Sequence, residues 1–302
     1  MSVPFSDAPV PADAPLSREE LDALVPTVED AVLLAADRAR QIQQDPVIST
    51  KSSASDLVTN ADTAVEEILR RELGRVLPAA AFIGEESAGT VVPAPAGESA
   101  PGAAGQTGAG GLAWIVDPID GTTNFVYGLP YAVCVALSAG GRPVLGVVAE
   151  VTAGRLYTAT AGTGQVWIRS EESREQMRPV VRGHGLSEAL IATGFPYDLA
   201  QAPTAFALGQ QIHERGRDLR RIGAASLDVV YTALGRVDGY AELNLRAWDI
   251  AAAQVIAQES GVVVTDWTGE ELLLTDPAAA LQVVAARQPL HAELLELIRR
   301  VR

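Results

Sequence analysis

Two aspartates, Asp117 and Asp120, close the apolar run Trp114-Ile-Val116 and stand directly before Gly121-Thr122-Thr123. Carboxylates so near one another repel unless a counter-charge lies between them. A divalent cation that prefers hard oxygen ligands, Mg²⁺ above all, supplies one. The Gly-Thr-Thr that follows can open a turn or helix whose free N–H groups face an anion such as a phosphate group. Taken alone, the segment fits metal ligation and simple turn capping by Asp-Pro and Asp-Gly equally well. Two further segments add carboxylates. Phe82-Ile-Gly-Glu-Glu-Ser87 sets paired acids after a short apolar run, and Ala247-Trp-Asp-Ile-Ala251 sets Asp249 at the start of an apolar helix. By itself Asp249 also reads as a helix N-cap without further role.

The elements that must position these groups follow from periodicity. Val28, Ala31, Val32, Leu34, Ala35 and Ile42 recur near helical spacing and predict a helix over Thr27–Gln43, ended by Pro46. A second helix is expected from Asp62 to Arg75. Short apolar runs at Ala113–Val116, Tyr131–Leu137, Val144–Glu150 and Arg155–Thr158 read as strands, with Pro118 stopping the first and Gly140-Gly141 turning a hairpin. Beyond them helix is expected over Ala224–Leu234 and Trp248–Glu259, with strand over Gly239–Leu243 and Gly261–Asp266. This alternation favours a layered α/β or α+β chain. Residues 1–16 read as a loose leader, with a single domain over 17–302 in two packed halves, about 17–180 and 181–302. Residues 88–111, dominated by Ala, Gly and Pro with no Lys or Arg, read as a surface insertion that is either a lid or a solvated excursion.

Composition narrows the function. A chain of 302 residues with 48% hydrophobic content can bury a large core. Its net charge of −15, from 38 acidic and 23 basic residues, disfavours nucleic acid as a partner. The single cysteine, Cys134, lies in an apolar run and reads as a buried strand residue. No secretory signal and no apolar span near the roughly 20 residues of a membrane helix is evident, so a soluble cytoplasmic protein is expected. His184, His213 and His291 lack mutual metal-ligand spacing and read as loop or helix-surface residues. The four tryptophans read as core or interface.

The motifs Gly84-Glu-Glu-Ser87, Asp117-Pro-Ile-Asp-Gly-Thr-Thr-Asn-Phe125 and Trp248-Asp249, in that order, resemble those of the inositol monophosphatase family of metal-dependent, lithium-sensitive phosphatases. The segment Lys51–Asp62 resembles the family's amino-terminal signature, and the similarity runs from about Thr27 to the C-terminus. The resemblance implies an α+β layered αβαβα sandwich and two or three Mg²⁺ ions per site. It implies that Glu85, Asp117 and the Ile119 carbonyl hold one ion while Asp117, Asp120 and Asp249 hold a second. It further implies that Thr122, bonded to Asp62, orients the attacking water with help from Glu85, and that Gly121 and Thr122 amides hold the phosphate. A homodimer is the usual assembly in the family.

On the alcohol side, Arg220–Ser226, with Gly223 and Ala225, resembles the family's substrate turn, and Glu242 matches the acid that contacts ring hydroxyls. Glu242 also reads as an edge-strand surface residue. Arg246 stands where animal inositol enzymes carry histidine, a departure that could favour a more anionic substrate. Arg220 and Arg221 either bind substrate or pair with surface acids. The expected activity is hydrolysis of myo-inositol 1-phosphate. Histidinol phosphate, fructose 1,6-bisphosphate and 3′-phosphoadenosine 5′-phosphate are alternative substrates, and a non-catalytic partner of the transcription machinery is the alternative of another class.

Overall fold

The computed structural model describes residues 16–51, 57–87, 111–183 and 185–301. The expected leader apart from Leu16, the expected insertion apart from Gly111, Asp56 and His184 lie outside them. The elements run α1 Arg18–Gln43, β1 Ile48–Thr50, β2 Leu57–Thr59, α2 Asn60–Val76, β3 Ala81–Gly84, β4 Leu112–Asp120, α3 Thr122–Tyr127, β5 Ala132–Ala139, β6 Arg142–Glu150, β7 Arg155–Thr160, β8 Val166–Arg169 and β9 Arg174–Gln176. They continue with β10 Leu190–Ala192, α4 Ala202–Arg215, β11 Asp218–Arg220, α5 Ala225–Leu234, β12 Gly239–Leu245, α6 Ala247–Glu259, β13 Val263–Thr265, β14 Leu281–Ala286 and α7 Leu290–Ile298.

Two sheets alternate with three helical layers. One sheet has the order β3-β4-β5-β6-β7-β8-β9, antiparallel except between β3 and β4. The other has the order β11-β10-β12-β14-β13, parallel around β10 and antiparallel around β14. Strand β5 explains how the first sheet takes helices on both faces. Its Ala132, Cys134 and Ala136 face α5 and α6, while Val133, Val135 and Leu137 face α1 and α2. A strand buried on both sides therefore reads as one unbroken apolar run. Helix α6, apolar on every side, lies between the sheets, and it passes β6 so closely that a Cβ at Gly146 would collide with the Ala252 carbonyl. Helices α4 and α7 cover the outer face of the second sheet. The result is a five-layer αβαβα sandwich.

Several boundaries differ from expectation for definable reasons. Helix α1 starts at Arg18, ahead of Thr27, because Ser17 and Glu20 form a reciprocal capping box and Leu21, Val25 and Val28 extend the buried stripe. Pro26 is accommodated inside it. Pro118 does not end β4; the strand runs to Asp120 through an irregularity between Asp117 and Asp120 that absorbs the missing donor. His291 is not a surface residue: it is 3% exposed, with Nε2 3.0 Å from the Thr265 hydroxyl. Strands β1, β2, β8, β9, β10, β11 and β14 and helices α4 and α7 were not anticipated. No described helix is long and apolar enough to cross a membrane.

Candidate active site

The irregular end of β4 is the floor of an open cleft of about 850 Å³ between the two sheets. Glu85, at the end of β3, and Asp117, Ile119 and Asp120, on β4, reach it from the first sheet. Gly121 and Thr122 line it from the start of α3, and Asp249 from the first turn of α6. Asp117 and Asp120 are buried. Burial, and then the facing charges of Glu85, Asp120 and Asp249, raise Asp117 well above the usual carboxylate range. Asp249 is raised in the same way, by burial first and Glu85 next. Glu85 is pushed up to about 7 by burial, although Lys51 opposes the shift. Four acids that disfavour one another's charge share one cleft.

Each acid is held by local partners. Asp117 Oδ1 accepts the Ile119 amide at 3.0 Å. Asp120 accepts the amides of Ala225 at 3.1 Å and Ser226 at 2.8 Å, together with the Ser226 hydroxyl, so a strand residue of one sheet caps α5. Those bonds resist the burial that pushes Asp120 up to about 6. Asp249 is the third residue of α6 rather than its N-cap, and accepts the Arg246 amide at 2.6 Å. Lys51 Nζ lies 2.8 Å from Glu85 Oε1 and also bridges Glu86.

The donor set fits a divalent cation. Carboxylate oxygens and the Ile119 carbonyl are hard ligands, and the mutual repulsion around Asp117 is what an added cation would relieve. Among the described residues no three side chains already converge on one ion. The bonds to Ile119, Ser226, Arg246 and Lys51 account for where the carboxylates point instead.

Beside the acids, the Thr122 hydroxyl lies 3.3 Å from Asp62 Oδ1 and 3.3 Å from the Ile119 carbonyl oxygen. Asp62 is fully buried at the start of α2, and its Oδ2 accepts from both the amide and the hydroxyl of Thr59 at 2.7 Å. Gly121 adopts φ 89°, where a side chain would be strained, and a Cβ there would meet the Gly223 carbonyl at 2.9 Å.

The cleft is also lined by Glu242, Gly223 and Ala225. Strand β12 is interior to its sheet, so Glu242 is not an edge-strand surface residue. It accepts the Tyr240 hydroxyl at 2.8 Å, is pushed up to about 7 by burial, and packs where a Cβ on Gly194 would collide with it. Arg220 turns outward to Asp218 at 2.6 Å, and Arg246 is not among the residues lining the cleft. The guanidinium found there is Arg221, stacked 5.7 Å from the Phe195 ring centroid. Sequence reasoning missed Asp228, buried with Oδ1 lacking a hydrogen-bond partner, and Asn244, at φ 68° where β12 slips register. The tandem Arg220-Arg221 was a usable signal, since neighbours leaving a strand point opposite ways. Asn244 had none.

Comparison with known proteins agrees with this architecture. A sequence profile described as the Inositol monophosphatase family matches residues 17–302. The chain is similar to the Inositol-1-monophosphatase SuhB of Mycobacterium tuberculosis, 38% identical over 263 residues covering 85% of this chain and 82% of that protein. It is also similar to the Nus factor SuhB of Escherichia coli K12, 34% identical over 232 residues covering 74% and 77%. The structure of the extragenic suppressor protein SuhB from Bartonella henselae superposes with TM-score 0.77 at 29% identity, covering 92% of this chain and 99% of that one. Mycobacterium tuberculosis SuhB superposes at 0.72 with 32% identity, covering 93% and 97%. The chain belongs to the inositol monophosphatase family.

Proposed function

We propose that the protein is a Mg²⁺-dependent phosphomonoesterase acting on a small phosphorylated polyol, with myo-inositol 1-phosphate as the leading substrate. The observation that carries this reading is the meeting of Glu85, Asp117, Asp120 and Asp249 in one cleft beside the Thr122–Asp62 pair. Bound Mg²⁺ would supply Lewis acidity toward phosphate oxygens and bring the acidity of a water molecule from 15.7 toward 7. Glu85, Asp117 and the Ile119 carbonyl would hold one ion, and Asp117, Asp120 and Asp249 another.

The chain's own groups account for the remaining requirements. Thr122 offers a hydroxyl whose orientation is set by Asp62 and the Ile119 carbonyl, so it can hold a water in line with the phosphorus. Amides of Gly121 and Thr122 stand where a phosphate oxygen needs donors. Glu242 faces the alcohol with the oxygen not engaged by Tyr240 and can accept from a substrate hydroxyl. No side-chain nucleophile is required.

Phosphate release should be measured on inositol 1-phosphate, histidinol phosphate, fructose 1,6-bisphosphate and 3′-phosphoadenosine 5′-phosphate, with and without Mg²⁺. Metal-dependent turnover dominated by the inositol substrate is expected. Dominance of another substrate would replace the alcohol and keep the chemistry. Folded protein that turns over none of the four would favour the reading suggested by the relatives named Nus factor, a role as a partner of the transcription machinery.

A further inference from the structure

Glu66 is a buried acid on α2 that the proposed chemistry does not use. Its carboxylate is 5% exposed and touches three parts of the β3 junction. Oε2 accepts the backbone amide of Glu86 at 2.8 Å. Oε1 pairs with Arg70 Nη2 at 2.5 Å, one helical turn along α2. The Cα of Gly84 approaches so closely that a Cβ there would collide with the carboxylate. Arg70 in turn lies over the Phe82 ring, 4.5 Å from its centroid, on β3 itself.

These contacts flank Glu85 on both sides. Gly84 before it and the Glu86 amide after it are both pinned by Glu66, while the Glu85 amide donates to the Val116 carbonyl of β4 at 3.2 Å. Asp62 and Glu66 stand one turn apart on α2, so they share a face. One helix thereby sets the acid that orients Thr122 and the acid that seats Glu85.

We infer that Glu66 is a positioning residue for Glu85, acting through the backbone of Gly84 and Glu86, and this rests on the reading that Glu85 holds Mg²⁺. Outer partners of metal ligands typically change affinity or activity by about 10–100-fold when lost. An acid seated from behind by a helix gives a site defined before the ion arrives.

The test titrates the full chain with MgCl₂ by calorimetry and follows phosphate release over a range of Mg²⁺ concentrations. Glu66→Ala is expected to weaken Mg²⁺ binding by about tenfold or more, and at saturating Mg²⁺ to lower kcat with little change in the substrate KM. Glu66→Gln, which keeps the acceptor for the Glu86 amide, should recover most of the affinity. Gly84→Ala disturbs the same junction from the other side with the Glu66 charge intact, and should weaken binding comparably even if Glu66→Ala does not fold. Folded Gly84→Ala or Glu66→Ala with wild-type affinity would overturn the inference alone, as would a folded Glu66→Gln as weak as the alanine variant. Wild-type protein that binds no Mg²⁺ would overturn the functional reading and this inference with it.

Discussion

Asn124 Nδ2 lies 2.8 Å from the carbonyl oxygen of Ile222, and the same nitrogen reaches the Pro130 carbonyl at 2.6 Å. The first bond joins α3, which begins at Thr122, to the turn between β11 and α5 that carries Gly223. Gly223 sits at φ 90°, where a Cβ would lie 3.1 Å from Asn124 Oδ1. One buried amide therefore holds α3 and the turn before α5 in register.

Asn124→Ala should remove both bonds and leave two half-buried carbonyls without that donor. The expected cost is about 2 kcal/mol of stability, measured by urea unfolding. Loss of registry should also lower kcat/KM on the order of tenfold or more, with both kcat and KM affected. A variant that loses stability and keeps wild-type kinetics would limit Asn124 to packing.

Asp117→Asn separates the fold from the ion. The replacement keeps the shape and can still accept the Ile119 amide, while it removes an acid whose charge burial and its neighbours disfavour. Without metal the variant should be at least as stable as wild type. Mg²⁺ at about 100 times its dissociation constant should stabilise the wild type by about 2.7 kcal/mol and leave the variant unmoved, with most turnover lost. Thermal melts with and without MgCl₂ read both effects.

Much of this site was legible because carboxylate chemistry at strand ends is local. Asp117 and Asp120 stand on one strand with the glycine that follows them, and a single loop carries Glu85. What could not be read depends on how distant elements meet. Asp120 capping α5 through Ala225 and Ser226 needs β4 and α5 to be neighbours across the sandwich, which no spacing announces. Arg220 and Arg221 were equal candidates because a tandem pair does not say which member faces the cleft, and only Arg221 lines it. Glu242 looked ambiguous until β14 paired alongside β12 and made it interior. Strand β4 outlasted Pro118 because an irregular register absorbs a proline that a regular ladder would reject.

Glu242→Ala should weaken recognition of the alcohol and spare the phosphate chemistry. The acid lines the cleft and is supported by Tyr240 and the close approach of Gly194. Loss of a hydrogen bond to an ionised group costs about 1.5–3 kcal/mol, so kcat/KM for inositol 1-phosphate should fall about 10–100-fold. p-Nitrophenyl phosphate, which has no hydroxyl to read, should change by no more than about threefold. Equal losses on both substrates would assign Glu242 a structural role.

His291 gives a stability prediction with a definite sign. Its ring is buried on α7 against Thr265, and burial lowers its pKa below the 6.5 of a free imidazole side chain. The folded state therefore prefers neutral imidazole. The stability this contributes is fully present above pH 6.5 and is lost as the pH falls from there through the lowered folded value, because the unfolded chain takes up the proton first. Acids of the cleft such as Glu242, raised to about 7, act in the opposite direction and stabilise the fold as the pH falls through 7. The His291 contribution must therefore be read as a difference. His291→Gln keeps a polar group beside Thr265 without a titrating ring, so its unfolding free energy should approach that of the wild type as the pH is lowered from 8 to 5. A constant gap across that range would show that the buried ring does not change its protonation preference on folding.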